Sequence, residues 1–222
     1  MKTITGELFG SDTAYSAFAA KSGEIVSVSG YVHRIREMTG FAFIILRTAR
    51  ELIQCVYAPE FSDYRLDGKL CEEACVKITG KVVASKDRDG NDRYELQIHD
   101  IKILSLPAET LPIVINKKQL DGIQLSTVLD LRPVSMRNPK ERAIFKLQEG
   151  IARGFREFLM QNGFTEIRSP KINFAGAEGG TNVFKLDYFG KEVYLAQSPQ
   201  LYKQALVGVF NRVFEIAPVF RA

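Results

Sequence analysis

The sequence lacks the features that would place the protein in a membrane or outside the cell. It has no apolar run of transmembrane length, and its start, Met1 to Glu7, lacks the hydrophobic segment of a secretory signal. Its three cysteines, Cys55, Cys71 and Cys75, and its two histidines do not have the spacing of a zinc site. We therefore expect a cytoplasmic protein with reduced thiols, no membrane association and no metal ligands of its own.

A strong charge of either sign is also lacking. The formal net charge is +4; residues 1–137 hold 18 basic and 18 acidic side chains, and residues 138–222 hold 12 and 8. The balanced first part provides no overall field that would attract a nucleic acid, so any such site there must depend on local arrangement. With 222 residues, 45% of them hydrophobic, the chain can form one large or two modest domains.

Residues 25–105 have the pattern of a small barrel. Short β-rich runs lie at 25–36, 41–47, 52–57, 75–84 and 93–104. Residues 67–74 could form a short helix, and Asp89-Gly90 predicts a hairpin turn between the last two strands. Three strands, a helix and two strands is the element order of an OB-fold barrel. Residues 1–24, with scattered glycine and serine, are expected to form a lightly ordered extension.

An OB-fold binds oligonucleotides on an open face, with aromatic side chains for the bases and basic groups for the backbone. Candidates on the first three predicted strands are His33, Arg34, Arg36, Phe41, Phe43 and Gln54. Alternation puts Phe41, Phe43 and Ile45 on one side of their strand and the equally apolar Ala42, Ile44 and Leu46 on the other. One set must line the barrel. The alternative is an ordinary β core in which both sides are buried.

A boundary segment is expected before the second part. Residues 106–137 contain three prolines among short apolar runs, which is typical of a hinge between domains. Asn138 can then cap a helix that has Pro139 at its first position and Glu141 in its first turn. Apolar residues recur at helical spacing from Ile144 to Leu159, so one side of this helix is expected to pack.

Short strands are expected beyond the helix. Asn162-Gly163 stops the helix, and residues 164–170 alternate like a strand until Pro170. Further strand-like runs lie at 183–186, 193–196 and 212–216. On periodicity alone, an unspecified helix–strand unit of an α+β domain explains this part equally well.

Several strings in the second part resemble one family, the aspartyl-tRNA synthetases of the archaeal and eukaryotic type, which are class II aminoacyl-tRNA synthetases. The helix with residues 163–170 resembles motif 1, and RVFEIAPVFRA at 212–222 resembles the start of motif 2. EGG at 178–180 and YLAQSPQLYKQ at 194–204 resemble the substrate loop and amino-acid pocket. The resemblance covers residues 25–222. It implies an OB-fold anticodon-binding domain at 25–105, then the start of an α+β catalytic domain with an antiparallel sheet at 138–222.

The resemblance implies ATP-dependent activation of aspartate and its transfer to tRNA-Asp by a homodimer. ATP is then a substrate, and Mg2+ is expected as a cofactor whose ligands lie outside this chain. Arg221 would act in catalysis and ATP binding, and Lys203 would meet the aspartate side chain. The remaining positions assigned to the substrate or to the dimer interface are Glu178, Ser198, Gln200 and, at the interface, Pro170.

In the barrel, the resemblance assigns Phe43 to stacking on the anticodon and Gln54 to hydrogen bonding with it, beside the candidate Arg34. The family usually has a glutamate where this chain has Gln97. A carboxylate is a good acceptor for a cytosine amino group, so its loss predicts relaxed discrimination between tRNA-Asp and tRNA-Asn.

Two alternatives stay open at this point. An asparaginyl-tRNA synthetase is disfavoured because those enzymes lack the lysine at the position of Lys203 and usually have serine in place of Pro199. A non-catalytic tRNA-binding and dimerisation module is the other. Because the sequence stops directly after the motif 2 arginine, we expect little activation by the 222 residues alone.

Overall fold

A computed structural model describes residues 13–87, 89–118, 120–174 and 183–221. The contacts of the chain divide it into two units, Met1–Asn138 and Pro139–Ala222. Within the described ranges, no helix combines the length and the apolar character needed to cross a bilayer.

The first unit is built around a closed barrel of five strands. They are β1 (Ile25–Met38), β2 (Phe41–Arg47), β3 (Leu52–Tyr57), β4 (Cys75–Lys86) and β5 (Asp92–Ser105). Their order around the barrel is β1-β2-β3-β5-β4, and β4 pairs with β1 to close it. All pairs are antiparallel except β3 with β5. The predicted OB-fold barrel is confirmed, including the hairpin at Asp89-Gly90, where Gly90 has a φ of 83°.

Side-chain alternation along β2 decides which groups fill the barrel. Ala42, Ile44 and Leu46 point inward and are at most 1% exposed, beside similarly buried residues of the other four strands. Phe41, Phe43 and Ile45 therefore lie on the outside. The barrel core belongs to one set only, so the alternative of two buried faces is wrong.

The possible helix at 67–74 is wrong. These residues form a loop in which Gly68 and Glu73 have φ values of 81° and 66°, outside the right-handed helical region. Leu70 and Ala74 are 5% and 0% exposed and belong to the barrel core. Burial of these two side chains outweighs the weak local preference for a helix.

The expectation of a lightly ordered N-terminal extension is wrong for residues 13–24. They form two 3-10 turns, Tyr15–Ala17 and Ala19–Lys21, and the Phe18 side chain between them is completely buried in the barrel core. The Tyr15 amide donates to Glu51 Oε1 at 2.7 Å. Residues 1–12 lie outside the described part of the chain.

The expected hinge at 106–137 contains two short helices, α1 (Leu125–Asp130) and α2 (Arg132–Ser135), and its contacts are with the first unit. Asn138 was expected to cap the next helix. Its side-chain amide also donates to the Ile115 and Lys117 carbonyls, at 2.9 and 2.8 Å, and so connects the residue before the next helix to residues 115–117.

A buried polar cluster joins this segment to the loop at 67–74, which lies between β3 and β4. The Glu73 carboxylate accepts two hydrogen bonds from Arg47, at 2.6 and 2.8 Å, and one from Arg137 at 2.9 Å. Arg47 also lies 3.0 Å from Nδ1 of the buried His33. The Arg47 and Glu73 side chains are both only 5% exposed, so each depends on the other for its charge to be tolerated inside the protein.

The second unit begins with the long helix α3 (Pro139–Gln161), and Gly163, where φ is 77°, follows its end. The remaining elements are β6 (Thr165–Glu166), β7 (Ile172–Asn173), β8 (Lys185–Tyr188), β9 (Lys191–Leu195), α4 (Gln200–Phe210) and β10 (Val213–Phe214). An antiparallel sheet has the order β7-β9-β8, and β6 pairs with β10 in parallel. The predicted antiparallel sheet is confirmed.

The apolar side of α3 does not pack as expected. None of its residues is buried, and Ile144, Leu147, Ile151 and Phe158 are between 51% and 73% exposed. Phe155 makes an edge contact with the Phe214 ring, with centroids 6.5 Å apart. Within the described residues, therefore, most of this apolar side is exposed to solvent.

We expect the substitution Glu73→Gln to destabilise the first unit by about 3–5 kcal/mol, because Arg47 stays buried without its counter-charge. Burial alone would raise the pKa of Glu73, but hydrogen bonds and charges from Arg47 and Arg137 hold it below its ordinary value. A lowered pKa in the folded state means that this stabilisation is present above the unfolded-state pKa and is lost as the pH falls through the folded-state pKa.

Hydrogen exchange of barrel amides measures both effects. The wild type should lose stability on acidification below the ordinary glutamate pKa of about 4.3, and the variant should lose less. Glu60→Gln, at an exposed loop position, is the control. Equal barrel stability in Glu73→Gln and Glu60→Gln would contradict the role of Glu73 as the counter-charge of the buried Arg47.

Candidate functional site

The outer face of the barrel brings together all four residues proposed to read an anticodon. The strand registers pair Arg36 with Phe43, Phe43 with Val56, Val56 with Gln97, and Gln97 with Lys81. A neighbouring row runs from Arg34 through Ile45 to Gln54. Residues paired across strands project to the same face, so these two rows form one surface, which we call the barrel face.

The barrel face carries the chemistry that a single-stranded nucleic acid requires. The Phe41 and Phe43 rings meet edge to face, with centroids 5.3 Å apart, and Phe41 is 39% exposed. Arg34 and Arg36 are exposed on the strand that pairs with β2, and Lys81 is exposed at the other end of the row, beside Gln97. Aromatic planes for bases with cations for the phosphates are the usual components of such sites.

A carboxylate on this face was missed. Glu95 lies two residues before Gln97 on β5, and its Oε1 accepts a hydrogen bond of 2.7 Å from Gln54 Nε2. The signal was available, because residues two apart on a strand share a face. The barrel face therefore has an acidic acceptor at Glu95, although position 97 carries a neutral glutamine.

Gly80 determines how closely β4 approaches Gln97. A Cβ atom at Gly80 would lie 2.3 Å from the Gln97 carbonyl oxygen, a separation that no side chain could tolerate. The β4–β5 register also shifts between Thr79 and Gly80. A glycine is therefore required for the barrel to close beneath Gln97.

In the second unit, the segment after β10 reaches the residues that follow β9. The Phe220 amide donates to the Ala196 carbonyl at 3.0 Å, and Arg221 Nε donates to the Gln197 carbonyl at 3.3 Å. Arg221 is exposed, with its guanidinium beside the start of the Gln197–Gln200 turn. Two segments that are 24 residues apart in sequence thus meet at one place.

The Gln197–Gln200 turn leads into α4. Ser198 Oγ accepts a hydrogen bond of 3.2 Å from the Gln200 amide, and the Lys203 amide donates to the Pro199 carbonyl at 2.9 Å. Gln200 is exposed and Lys203 is half-buried on the first turn of the helix. Among the described residues, no carboxylate lies within ion-pair distance of the Lys203 ammonium. A half-buried cation of this kind suits an anionic ligand.

Of the two remaining predicted site residues, Pro170 lies in the described part of the chain and Glu178 does not. Glu178 lies in the range 175–182, outside the described residues. Pro170 is exposed, between Ser169 and Lys171, both of which bind the Glu215 carboxylate. Glu215 was not recognised as important, although a single carboxylate in the apolar run Val213–Ile216 must find donors if it is buried.

The thiols and the acidic side chains do not form a metal centre in the described residues: no group of three histidine, cysteine, aspartate or glutamate side chains there could hold an ion. Cys55 is buried in the barrel, and this burial raises the pKa of its thiol.

Comparisons with known proteins identify both units. Residues 26–104 match the OB-fold nucleic acid binding domain, and residues 124–222 match the tRNA synthetases class II (D, K and N). A Deinococcus radiodurans protein named aspartate–tRNA(Asp/Asn) ligase is 44% identical over 200 residues, which are 90% of this chain and 44% of that protein. A Thermus thermophilus protein of the same name is 39% identical, covering 91% and 46%.

The solved structures agree in fold. Asparaginyl-tRNA synthetase from Pyrococcus horikoshii, complexed with asparaginyl-adenylate, superposes with a TM-score of 0.78 at 29% identity, covering 91% of this chain and 46% of that one. The chain thus spans slightly less than half the length of these relatives.

Proposed function

Because this chain belongs to the class II tRNA synthetases of the D, K and N group, we propose that its protein activates aspartate with ATP and transfers the aspartyl group to tRNA. The observation that carries the proposal is the meeting of Arg221 with the Gln197–Gln200 turn, 3.3 Å from Nε to the Gln197 carbonyl. A cation that can neutralise a phosphate there lies beside the polar groups proposed to bind an amino acid.

Each residue then has a separate task. The aspartate α-carboxylate attacks the α-phosphate of ATP, the bond to the β-phosphate breaks, and pyrophosphate leaves; the later transfer of the aspartyl group to tRNA releases AMP. The attack builds negative charge, and the planar guanidinium of Arg221 can hydrogen-bond both reacting groups. Gln200 and Glu178, with Ser198 beside them, hold the substrate amine, which fixes the direction of the α-carboxylate. Mg2+ bound with ATP would neutralise further phosphate charge, and its ligands are expected outside this chain.

Lys203 supports aspartate over asparagine as the amino acid. Its ammonium is half-buried and has no carboxylate partner among the described residues, so an aspartate side chain would supply the missing charge. An asparagine amide would leave it unpaired, at a cost of a few kcal/mol.

ATP–pyrophosphate exchange by the protein at its natural length tests this proposal. We expect exchange with aspartate and little with asparagine, and we expect Lys203→Met to reduce the preference for aspartate roughly a hundred-fold. Lys191→Met, at an exposed position of β9, should leave the preference unchanged. Exchange with asparagine alone would identify an asparaginyl enzyme. No exchange with either amino acid would favour a non-catalytic RNA-binding module.

We further propose that the barrel face reads the anticodon and accepts both tRNA-Asp and tRNA-Asn. Phe43 provides a stacking plane worth about 1–3 kcal/mol per base, and Gln54 and Gln97 provide hydrogen-bonding amides beside it. The neutral Gln97 supports acceptance of both tRNAs, as do the names of the Deinococcus and Thermus relatives, which specify tRNA(Asp/Asn).

Aminoacylation of the two tRNAs tests this second point. We expect aspartate to be attached to both, and we expect Gln97→Glu to lower kcat/KM for tRNA-Asn relative to tRNA-Asp by about tenfold or more, since a well-placed contact to a base contributes about 1–3 kcal/mol. Gln161→Glu, at the exposed end of α3, is the matched control. If the wild type charges tRNA-Asn no better than background, the proposal that it accepts both tRNAs is wrong.

A homodimer is proposed on the exposed apolar side of α3 together with Pro170. A row of four large side chains that are more than half exposed is unusual for the surface of a monomer. In a symmetric dimer the same surface would bury itself against its copy.

Analytical ultracentrifugation should find the wild type as a dimer and Ile151→Glu as a monomer, because a charge would be buried in the interface. Arg153→Glu, on the opposite side of α3, removes only an exposed ion pair of 3.9 Å to Glu157 and should remain dimeric. The same mass for all three proteins would exclude this interface.

A further inference from the structure

Glu215 is a buried carboxylate that gathers donors from a distant segment. Its side chain is 1% exposed. It accepts hydrogen bonds from the Ser169 amide at 2.9 Å, from Ser169 Oγ at 2.7 Å and from Lys171 Nζ at 2.9 Å. Lys171 also donates to Ser169 Oγ at 2.9 Å, so the three residues form a closed network. Burial at this depth is tolerated because every donor is directed at the charge.

The same network continues the short β6–β10 ladder beyond its last residues. The Ile167 amide donates to the Phe214 carbonyl at 2.9 Å, and Arg168 Nη1 donates to the Ile216 carbonyl at 3.1 Å. Side chains therefore take over from the backbone where the strands end. The position of the chain at Glu215 is fixed from both sides.

After Glu215 the chain has no regular structure until Arg221. Pro218 has no amide hydrogen to donate. Beyond the Arg168 hydrogen bond to the Ile216 carbonyl, the next hydrogen bonds of the segment among the described residues lie at its far end, where Phe220 binds Ala196 and Arg221 binds Gln197. The segment 215–221 thus runs between two attachments. Without the hydrogen bonds to Glu215, the position of Arg221 would depend on the Arg168–Ile216 bond and on the attachment at Ala196 and Gln197.

We propose that Glu215 is a positioning residue for Arg221: its carboxylate fixes the start of the segment 215–221 and so sets where the Arg221 guanidinium lies beside the Gln197–Gln200 turn. The catalytic meaning of this placement rests on the proposed function, whereas the placement itself does not. Because Ser169 and Lys171 flank Pro170, the same carboxylate also fixes the turn proposed to lie at a dimer interface.

Nuclear magnetic resonance of the full 222-residue chain tests the placement directly. In Glu215→Gln we expect the Phe220 amide to exchange about tenfold faster or more, and the Arg221 Nε–H resonance to move towards the value of an unstructured arginine. Amides of the β8–β9 sheet should keep their protection. Glu192→Gln, which removes an exposed carboxylate bound to Lys185 on the same sheet, should change neither signal.

Two weaker variants guard against misfolding of Glu215→Gln. Lys171→Met and Ser169→Ala each remove part of the network and should shift the same two signals by smaller amounts. Unchanged Phe220 and Arg221 signals in Glu215→Gln would overturn the proposal. So would a uniform loss of protection across the second unit in all three variants, because that would make Glu215 a contributor to general stability only.

The pH dependence of the Phe220 and Arg221 signals distinguishes a positioning role of Glu215 from a contribution to general stability. Burial would raise the pKa of Glu215, but the Ser169 amide, Lys171 and the Ser169 hydroxyl lower it below its ordinary value. On acidification the Phe220 and Arg221 signals should therefore change together, below the usual range for glutamate, and this step should be missing in Glu215→Gln. If these signals respond as expected while aspartate-dependent exchange is absent, the proposed function fails and the positioning role stands.

Discussion

Burial of Ala42, Ile44 and Leu46 inside the barrel determines how the rest of the first unit faces solvent. Because side chains alternate along a strand, burying these three forces Phe41, Phe43 and Ile45 outward, and pairing across β1, β3 and β5 then aligns the polar residues with them. A shift of one residue in the register would turn the aromatic rings inward and the aliphatic ones outward. The composition of the barrel face is thus a consequence of its core.

Two buried glutamates play comparable roles in the two units. Glu73 lies in a loop with a left-handed backbone, and Glu215 lies directly after a strand of two residues. In both places the chain has left its regular hydrogen-bonding pattern, and a carboxylate receives donors from a separate segment instead. Such clusters are specific because each donor must be present for the charge to be tolerated. They hold irregular backbone in place where ladders and helices do not reach.

Much of this could be predicted from residue patterns. The β-rich runs at 41–47 and 52–57 predicted the strands β2 and β3, and Gly163 predicted the end of α3. These predictions succeed because local propensity and tertiary packing agree there. The loop at 67–74 could not be predicted in this way, because Leu70 and Ala74 pack in a core formed by residues that are distant in sequence. Partners of charged groups were the hardest to find: neither Glu95 with Gln54 nor Glu215 with Ser169 follows from spacing, because each pair joins different elements. The apolar side of α3 was recognised, but periodicity does not reveal what covers such a side.

The position of Phe18 has a practical consequence for anyone who wishes to isolate the barrel. The segment that matches the OB-fold nucleic acid binding domain begins at residue 26, yet the Phe18 ring fills part of the barrel interior and is completely buried. A polypeptide cut at that boundary would lack this ring in its core, and loss of a buried phenylalanine side chain typically removes about 3–5 kcal/mol of stability. A piece that keeps the whole barrel core must therefore include Phe18, eight residues before the start of the family match.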